Sequence, residues 1–249
     1  MNQQCQNCSI YNQIAQKLIA DIQAGIYGPG DRLPSENQLA TQYKVHRLTA
    51  RQAITALVEM DLVCRQQGRG TFVKKKKIDY SLNSKTSFTE SLFNLGYLPC
   101  IRILSSKIIT ASPQFSNLLE TNVGASILKI KFLRAATPAM TGTTIPDMEP
   151  LCISTSYLIS ERFPDLEVLI YRATSLYSLL QNYYGIQPRR AHIQIETELA
   201  SKEEAKLLKI APSVPLLVTK SQVRDQHDYL FEYTISRFRG ERFSLEVSC

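Results

Sequence analysis

The sequence contains no apolar run that approaches the roughly 18 residues of a membrane-spanning helix. Its first ten residues are polar and lack the basic-then-apolar pattern of a secretion signal. It also lacks internal repeats and, apart from four consecutive lysines at 74–77, low-complexity tracts. These absences, together with 44% apolar and 20% charged residues, are typical of a soluble globular protein. We therefore expect a cytoplasmic location and no membrane partner.

Groups of residues that would hold a metal or carry out catalysis are also missing. His192 and His227 are isolated, and no nucleophile or metal-ligand set accompanies them. The six cysteines are irregularly spaced. Cys5 and Cys8 form a lone C-x-x-C, whereas a structural zinc site needs four ligands. We therefore expect no disulfide, no metal, no cofactor and no enzymatic activity, and we interpret the cysteine pair as part of a frayed polar tail.

Positive charge is concentrated in the first third of the chain. The net charge is +7; residues 1–86 hold 12 Lys and Arg against 6 Asp and Glu, whereas residues 87–249 hold 17 against 16. A basic front joined to a nearly neutral remainder indicates that the front meets a polyanion. A solvated basic surface would have the same composition, so charge alone leaves both interpretations open.

Apolar periodicity predicts three helices near the N-terminus. They cover residues 9–24, 35–43 and 47–60. The second begins with Ser35, followed three positions later by Gln38, which is a capping-box pattern. A tight turn at residues 44–46 leads into the third, whose apolar face lies opposite a polar face that includes Arg47 and Arg51.

The periodicity changes to that of strands after residue 61. Residues 62–66 and 71–73 are predicted to form strands joined by a hairpin tip at residues 67–70. Packed on three helices, such a hairpin completes a winged helix-turn-helix. We therefore predict a winged helix-turn-helix domain over residues 1–73, followed by a basic and polar linker over residues 74–86.

The remainder, residues 87–249, has the pattern of an α+β domain. Strands are predicted over residues 101–109, 127–134, 151–159, 193–199, 216–224 and 230–238, and helices over residues 87–95, 116–121, 175–184 and from 201 onward. Ser87 and Ser201 are predicted caps, with Glu90 and Glu204 at the third position after each. Most strands are separated by turns or short helices, which favours an antiparallel sheet with flanking helices over a Rossmann-type sheet.

The start of the third predicted helix has the residue types that read DNA. In a helix-turn-helix, the second helix enters the major groove and its first residues contact bases. Arg47 and Arg51 suit guanine or phosphate, and Thr49 suits phosphate or a thymine methyl group. At the hairpin tip, Gly68-Arg69-Gly70 would let the backbone approach the DNA closely.

Three motifs, in this order, resemble the signature of GntR-type regulators. They are Gly28-Pro29-Gly30-Asp31-Arg32-Leu33-Pro34-Ser35-Glu36, Arg47-x-Thr49-x-Arg51-x-Ala53-Ile54, and Gln67-Gly68-Arg69-Gly70-Thr71-Phe72-Val73. The match covers nearly all of residues 11–73. The resemblance implies a double-stranded DNA operator as partner. It implies DNA contacts at Ser35, Asn37, His46, Arg47, Leu48, Thr49, Arg51, Gln52, Gly68, Arg69 and Gly70.

Three of these positions depart from the common family pattern. Asn37 stands where many members carry an arginine that contacts DNA, His46 replaces a frequent serine, and Leu48 is apolar where a polar residue or methionine is common. We therefore expect the operator to differ from the usual family half-site.

The C-terminal part resembles the UTRA effector domain of the HutC branch. The resemblance rests on Ser87-Phe88-Thr89-Glu90 followed by Gly96, and continues at Arg134, Ser175-x-Tyr177, Arg190, Glu203-Glu204-Ala205 and Phe231-Glu232-Tyr233. It implies a chorismate-lyase-like fold that binds a small-molecule effector. Within the branch, Val45-His46-Arg47-Leu48-Thr49 and Ile78-Asp79-Tyr80-Ser81-Leu82-Asn83 look most like the phosphonate-metabolism regulators.

The resemblance also implies an effector pocket. Its candidate residues are Phe88, Arg134, Ser175, Tyr177, Arg190 and Glu232. The arginines suit an anionic effector and the hydroxyls suit phosphoryl oxygens. Plainer interpretations stay open: a core role for Phe88, an N-cap for Ser175, and a surface patch for Arg189-Arg190. Phe238 replaces a tyrosine found in relatives that sense sugar phosphates, which weakens that alternative.

The leading hypothesis is a homodimeric, ligand-responsive repressor of phosphonate uptake or catabolism genes. The same type of regulator sensing a sugar phosphate, a fatty acid or a histidine-pathway intermediate is the main alternative. A lyase-type enzyme with a DNA-binding head is a remote one, because no acid/base pair or nucleophile set accompanies it. A regulator fused to an aminotransferase is excluded, because the C-terminal part is too short.

Overall fold

A computed structural model describes residues 9–74, 77–83, 87–139 and 148–247. The chain divides into two compact units, residues 1–76 and residues 77–249, and each is described by itself. The Cys5 and Cys8 pair lies outside the described residues. Among the described helices, none is long and apolar enough to cross a membrane.

The first unit is a winged helix-turn-helix, as predicted. It consists of α1 (Ile10–Gln23), α2 (Glu36–Tyr43), α3 (Arg47–Glu59), β1 (Val63–Gln66) and β2 (Gly70–Val73). The two strands pair antiparallel. Its core joins one apolar face from each helix to the hairpin and includes Leu18, Leu39, Ile54, Leu57 and Val63.

Local sequence explains how α2 begins and ends. Ser35 accepts from the Gln38 backbone N–H while the Gln38 side chain accepts from the Ser35 backbone N–H, which completes the predicted capping box. Lys44 ends α2 with a left-handed backbone (φ +54°). The chain then turns within two residues into α3.

The Gly28–Glu36 motif contributes a strand-like edge that its turn-rich sequence did not predict. The Gly30 backbone N–H donates to the Val73 carbonyl (2.9 Å), and that of Leu33 donates to the Thr71 carbonyl (2.8 Å). Arg32 forms an isolated antiparallel bridge with Phe72. The motif therefore anchors β2 from its outer side.

The second unit is an α+β domain built on a six-stranded antiparallel sheet, as predicted. Its described elements are β3 (Ile78–Ser81), α4 (Phe88–Asn94), β4 (Tyr97–Thr110), α5 (Pro113–Leu119), β5 (Ser126–Pro138), β6 (Glu149–Ile159), α6 (Leu166–Leu169), α7 (Leu176–Tyr184), β7 (Arg189–Leu199), α8 (Lys202–Leu208), β8 (Pro215–Arg224), β9 (Leu230–Arg239) and β10 (Phe243–Glu246). The strand order is β4-β5-β6-β9-β8-β7. Short 3-10 turns flank α6.

Apolar clusters hold the helices against the sheet. The largest joins α6 and α7 to β5, β8 and β9 and includes Phe132, Leu180, Val223 and Phe231. Another lies beneath α8, whose start is fixed by the predicted capping box of Ser201 and Glu204. These contacts position the N-terminus of α7 over the sheet.

The predicted linker is wrong over residues 78–81, which form β3. This strand pairs parallel with β10, from Ile78 opposite Phe243 to Ser81 opposite Glu246. The Tyr80 ring packs against Phe238 and Phe243, with centroid distances of 5.5 and 6.2 Å. The pairing joins segments far apart in the sequence, so no local pattern predicts it.

Two predicted helix starts also differ. Ser87 precedes α4, but its side chain makes no capping hydrogen bond, so Glu90 completes no capping box. The helix predicted at residues 116–121 begins earlier, at Pro113, because Ser112 caps it by accepting from the Phe115 backbone N–H. Proline at the first position of a helix suits this start.

The β3–β10 pair makes Phe243 a support of the second unit. Phe243 is fully buried, so Phe243→Ala should lower the free energy of unfolding of this unit by about 3–5 kcal/mol. Urea denaturation of the full chain measures the change. Val247→Ala, at a position 57% exposed, is the control and should stay within about 0.5 kcal/mol of wild type. Equal effects of the two substitutions would contradict the packing role.

Candidate DNA-binding and effector-binding sites

The N-terminus of α3 is capped by a histidine. The Nδ1 atom of His46 accepts from the backbone N–H of Leu48 (3.3 Å). This bond requires an unprotonated Nδ1, so the neutral ring carries its proton on Nε2. His46 therefore replaces the capping function of serine and adds an N–H donor at the exposed helix start.

A carboxylate on α2 holds the two arginines of α3. Glu36 Oε2 lies 3.2 Å from Arg47 Nε, and Glu36 Oε1 lies 4.0 Å from Arg51 Nε. Both arginine side chains are more than 60% exposed. The interaction energy of such exposed ion pairs is small. The bridge nevertheless orients both guanidinium groups on one face of α3.

The DNA contacts expected from the sequence lie at the start of α2, at the start of α3 and on the hairpin. Ser35, Asn37, His46, Arg47, Leu48, Arg51, Gln52, Gly68 and Arg69 are exposed, and Thr49 and Gly70 are partly buried. The opposite face of α3 is buried in the core. Leu48 is 61% exposed, which leaves an apolar side chain beside the arginines.

The hairpin tip depends on its glycines and on contacts with α3. Gly70 has φ +121°, and a Cβ at this position would lie 2.7 Å from Arg32 Nε, so a substitution there is strained and forces the Arg32 side chain to shift. Arg65 on β1 donates to Thr55 Oγ1 on α3 (2.8 Å), which ties the hairpin to the helix. The Arg69 guanidinium lies over the Phe72 ring at 5.8 Å.

All six effector candidates surround one cavity in the second unit. They are Phe88 on α4, Arg134 on β5, Ser175 and Tyr177 at the start of α7, Arg190 on β7 and Glu232 on β9. Tyr80, Ser87, Leu176, Thr219, Ser221, Thr234, Ser236 and Phe238 complete the walls. The cavity measures about 30 Å³, room for one or two water molecules.

Arg134 is fixed within the wall. Its Nε donates to Ser154 Oγ (2.7 Å). Its guanidinium lies over the rings of Phe88 and Phe132, each at 5.2 Å. These contacts leave an oriented positive charge beside the cavity.

Arg190 and Glu232 carry polar atoms that the fold leaves unsatisfied. The Nε and Nη1 atoms of Arg190 and the Oε2 atom of Glu232 are buried without a hydrogen-bond partner among the described residues. Burial raises the pKa of Glu232, and nearby Ser156, Tyr177 and the arginines offset this only in part. Burial acts to lower the pKa of Arg190, but Tyr80, Tyr177 and Glu232 outweigh it and the pKa is raised.

The N-terminus of α7 supplies two hydroxyl groups. Ser175 Oγ accepts from the Ser178 backbone N–H (3.3 Å), so Ser175 is an N-cap that still has a proton to donate. Burial, followed by the charge of Glu232, raises the pKa of Tyr177 well above its usual value. Tyr177 therefore stays a neutral hydrogen-bond donor.

A floor of small hydroxyl side chains was not predicted from the sequence. Register places Ser156, Thr234 and Ser221 in one cross-strand row and Ser154, Ser236 and Thr219 in the next. Four of these six line the cavity. A signal was present in the sequence, because three predicted strands each carry two small hydroxyl residues separated by one position.

The buried thiol of Cys152 is not a nucleophile, since burial raises its pKa to about 12.

Two family models match the chain. One, described as bacterial regulatory proteins of the gntR family, covers residues 10–73, and the other, described as the UTRA domain, covers residues 94–244. The HTH-type transcriptional repressor NagR of Bacillus subtilis (strain 168) is 32% identical over 235 residues, covering 94% of this chain and 92% of that protein. The probable fructoselysine utilization operon transcriptional repressor of Escherichia coli (strain K12) is 28% identical over 240 residues, covering 96% and 93%.

A solved structure agrees with these matches. The crystal structure of PhnF from Mycobacterium smegmatis superimposes with a TM-score of 0.66 at 26% identity and covers 95% of this chain and 98% of that one. Its match spans both units in sequence. The chain therefore belongs to the GntR family of bacterial transcription regulators, in the HutC branch that carries a UTRA domain, and is a DNA-binding regulator rather than an enzyme.

Proposed function

We propose that the chain is a cytoplasmic, homodimeric repressor whose operator affinity falls when a small anionic effector binds in the cavity. The observation that carries the effector part is that Arg190 and Glu232 place buried polar atoms in one space, with no hydrogen-bond partner in the part of the chain that the structure describes. Buried polar groups without partners are costly, and a ligand that satisfies them gains that free energy on binding.

Residues 1–73 are the proposed operator-binding part. Arg47 and Arg51 on α3 contact bases or phosphates, and Arg69 at the hairpin tip contacts the backbone or minor groove. Leu48 provides an apolar contact for a thymine methyl group. In a homodimer, two such helices would enter successive major grooves about 34 Å apart on a near-palindromic site.

Residues 87–249, extended by β3, are the proposed effector-binding part. Arg134 and Arg190 suit a phosphonate or phosphate group, which accepts charge-assisted hydrogen bonds. The resemblance of the 78–83 segment to phosphonate-metabolism regulators makes a phosphonate the first candidate. The hydroxyl floor and Glu232 favour a second candidate, a sugar phosphate, because they suit a ligand with several hydroxyl groups. The fructoselysine relative is consistent with that alternative.

Repression is relieved only if the effector binds the operator-free state more tightly than the operator-bound state. This difference is a coupling free energy, typically about 1–3 kcal/mol, which corresponds to a 5- to 150-fold change in operator affinity. Because the coupling is reciprocal, bound operator must lower the affinity for effector by the same factor. Fluorescence anisotropy with an operator selected by the wild-type protein from a random duplex pool measures both.

Arg47→Ala tests the operator-binding face. Loss of this contact should weaken operator binding by about 5- to 150-fold. If Arg47 contacts a phosphate, the slope of log affinity against log salt should become shallower by about 0.9. Lys17→Ala removes the same charge from an exposed position on α1 and should change affinity by less than about twofold. Equal losses of operator affinity in the two variants would show that Arg47 contributes only its charge to the attraction of DNA, and would contradict a specific contact.

Arg190→Gln tests the anion site. Charge-assisted hydrogen bonds are worth about 1.5–3 kcal/mol, so effector affinity should fall by about 10- to 150-fold, with operator affinity in the absence of effector unchanged. Arg189→Gln is the matched control, because Arg189 is 50% exposed and pairs with Asp228 on the surface. Calorimetry with 2-aminoethylphosphonate and glucose 6-phosphate separates the two ligand candidates. Unaltered ligand binding by Arg190→Gln would refute the anion assignment. Arg134→Ala, which removes the other arginine of the cavity wall, provides a second check of the same assignment.

A further inference from the structure

The hairpin of the first unit has an outer face that is directed away from α3. Residues directly opposite each other on paired strands share a face, and neighbours along a strand alternate between the two faces. Arg65 donates to Thr55 on α3, so its side of the hairpin is the inner face. Phe72 pairs with Cys64 and with Arg32, and these three side chains therefore lie on the outer face. Phe72 is only partly buried and does not belong to the core of the unit.

The fold positions the Arg32 side chain on this outer face. The residues before and after Arg32 are bonded through their backbones to β2. The Arg32 side chain lies across Gly70, because a Cβ built at that position would be 2.7 Å from Arg32 Nε and 3.3 Å from Arg32 Cζ. Gly70 therefore leaves the space that the guanidinium occupies, next to the hairpin tip.

The outer face carries positive charge that the first unit does not neutralise. Three of the five arginines of this unit are bonded within it, two by Glu36 and one by Thr55. Arg32 and Arg69 are exposed and have neither a carboxylate nor a hydrogen-bond partner in the part of the chain that the structure describes. The Arg69 guanidinium lies over the Phe72 ring at 5.8 Å. Two guanidinium groups thus surround one aromatic ring with no acid between them.

The charge and shape of this surface fit the phosphates of a DNA duplex. A guanidinium group donates in a planar fork that matches phosphate oxygens. An arginine that the fold already holds in place loses less conformational freedom on binding than a free one. Because the face is directed away from α3, it extends the surface available to DNA beyond the recognition helix.

We infer that Arg32 is a DNA contact: from the outer face of the hairpin, its guanidinium binds a phosphate of the duplex beyond the bases that α3 reads. The inference rests on the proposed operator binding. It adds a residue and a face of the hairpin that the contacts expected from the sequence do not include. Phosphates carry no base identity, so Arg32 contributes affinity and not sequence preference.

Arg32→Gln tests the contact, with Lys17→Gln as the matched control. Each substitution removes one positive charge from an exposed side chain of the first unit, but Lys17 lies on α1 and pairs with Asp21. A third variant, Arg32→Lys, keeps the charge and lacks the planar fork. Fluorescence anisotropy of the full-length proteins at several salt concentrations measures binding to two duplexes. One is the operator selected by the wild type, and the other is an unrelated duplex of the same length.

Arg32→Gln should weaken operator binding by about 5- to 10-fold near 0.1 M salt, because each phosphate contact releases condensed counterions. The slope of log affinity against log salt should become shallower by about 0.9 for each lost contact. The unrelated duplex should lose affinity by the same factor, since the contact does not read bases. Lys17→Gln should stay within about twofold of wild type with an unchanged slope, and Arg32→Lys should keep the wild-type slope.

A scan of the operator with one uncharged methylphosphonate linkage at a time locates the phosphate. The wild type should lose affinity at a linkage where Arg32→Gln shows no further loss. Identical scans for the two proteins, or a wild-type salt slope in Arg32→Gln, would overturn the contact and leave operator binding by α3 intact. Equal losses in Arg32→Gln and Arg32→Lys without a change in slope would also overturn it, since Arg32 would then only support the hairpin. A wild type that selects no operator from the pool would overturn both this inference and the proposed function.

Discussion

The register between β9 and its neighbours β6 and β8 is the constraint on which the candidate effector cavity depends. Side chains alternate between the two faces of a strand, so a shift of one residue would turn Glu232 away from the cavity and present its apolar neighbours instead. In the observed register, Val223 on β8 lies between Glu232 on β9 and Arg190 on β7. The same register aligns the hydroxyl rows into one floor. A sheet held by long antiparallel pairings thus brings together an acid and a base that are distant in the sequence.

The two sites use arginine in opposite physical settings. On α3 the guanidinium groups are solvated, so the Glu36 bridge adds little stability. Its effect is to orient both groups on one exposed face of the helix. Around the cavity, Arg190 is largely removed from water and two of its nitrogens have no partner among the described residues. There the fold bears a desolvation cost that a ligand can recover. Exposure suits a surface that must reach DNA, and burial suits the proposed site for a small anion.

Features set by neighbouring residues could be predicted from the sequence, and features set by distant pairings could not. The capping boxes at Ser35 and Ser201, the recognition helix and the antiparallel strands follow from local patterns and are present as expected. The six effector candidates came from a family resemblance, and all of them line one cavity. Strand β3 was mistaken for a linker because its partner β10 lies at the other end of the chain and the segment itself is only four residues long and follows the run of lysines. The hydroxyl floor was missed because serine and threonine in strands are usually taken as surface residues.

The magnitudes show how little the cavity must contribute to operate the proposed regulator. A hydrogen bond to a charged group contributes about 1.5–3 kcal/mol, which is the same size as the coupling of about 1–3 kcal/mol that typical allosteric regulators need. One hydrogen bond between an effector oxygen and Arg190 that forms in only one of the two states therefore carries sufficient free energy, and no rearrangement of the six-stranded sheet is required.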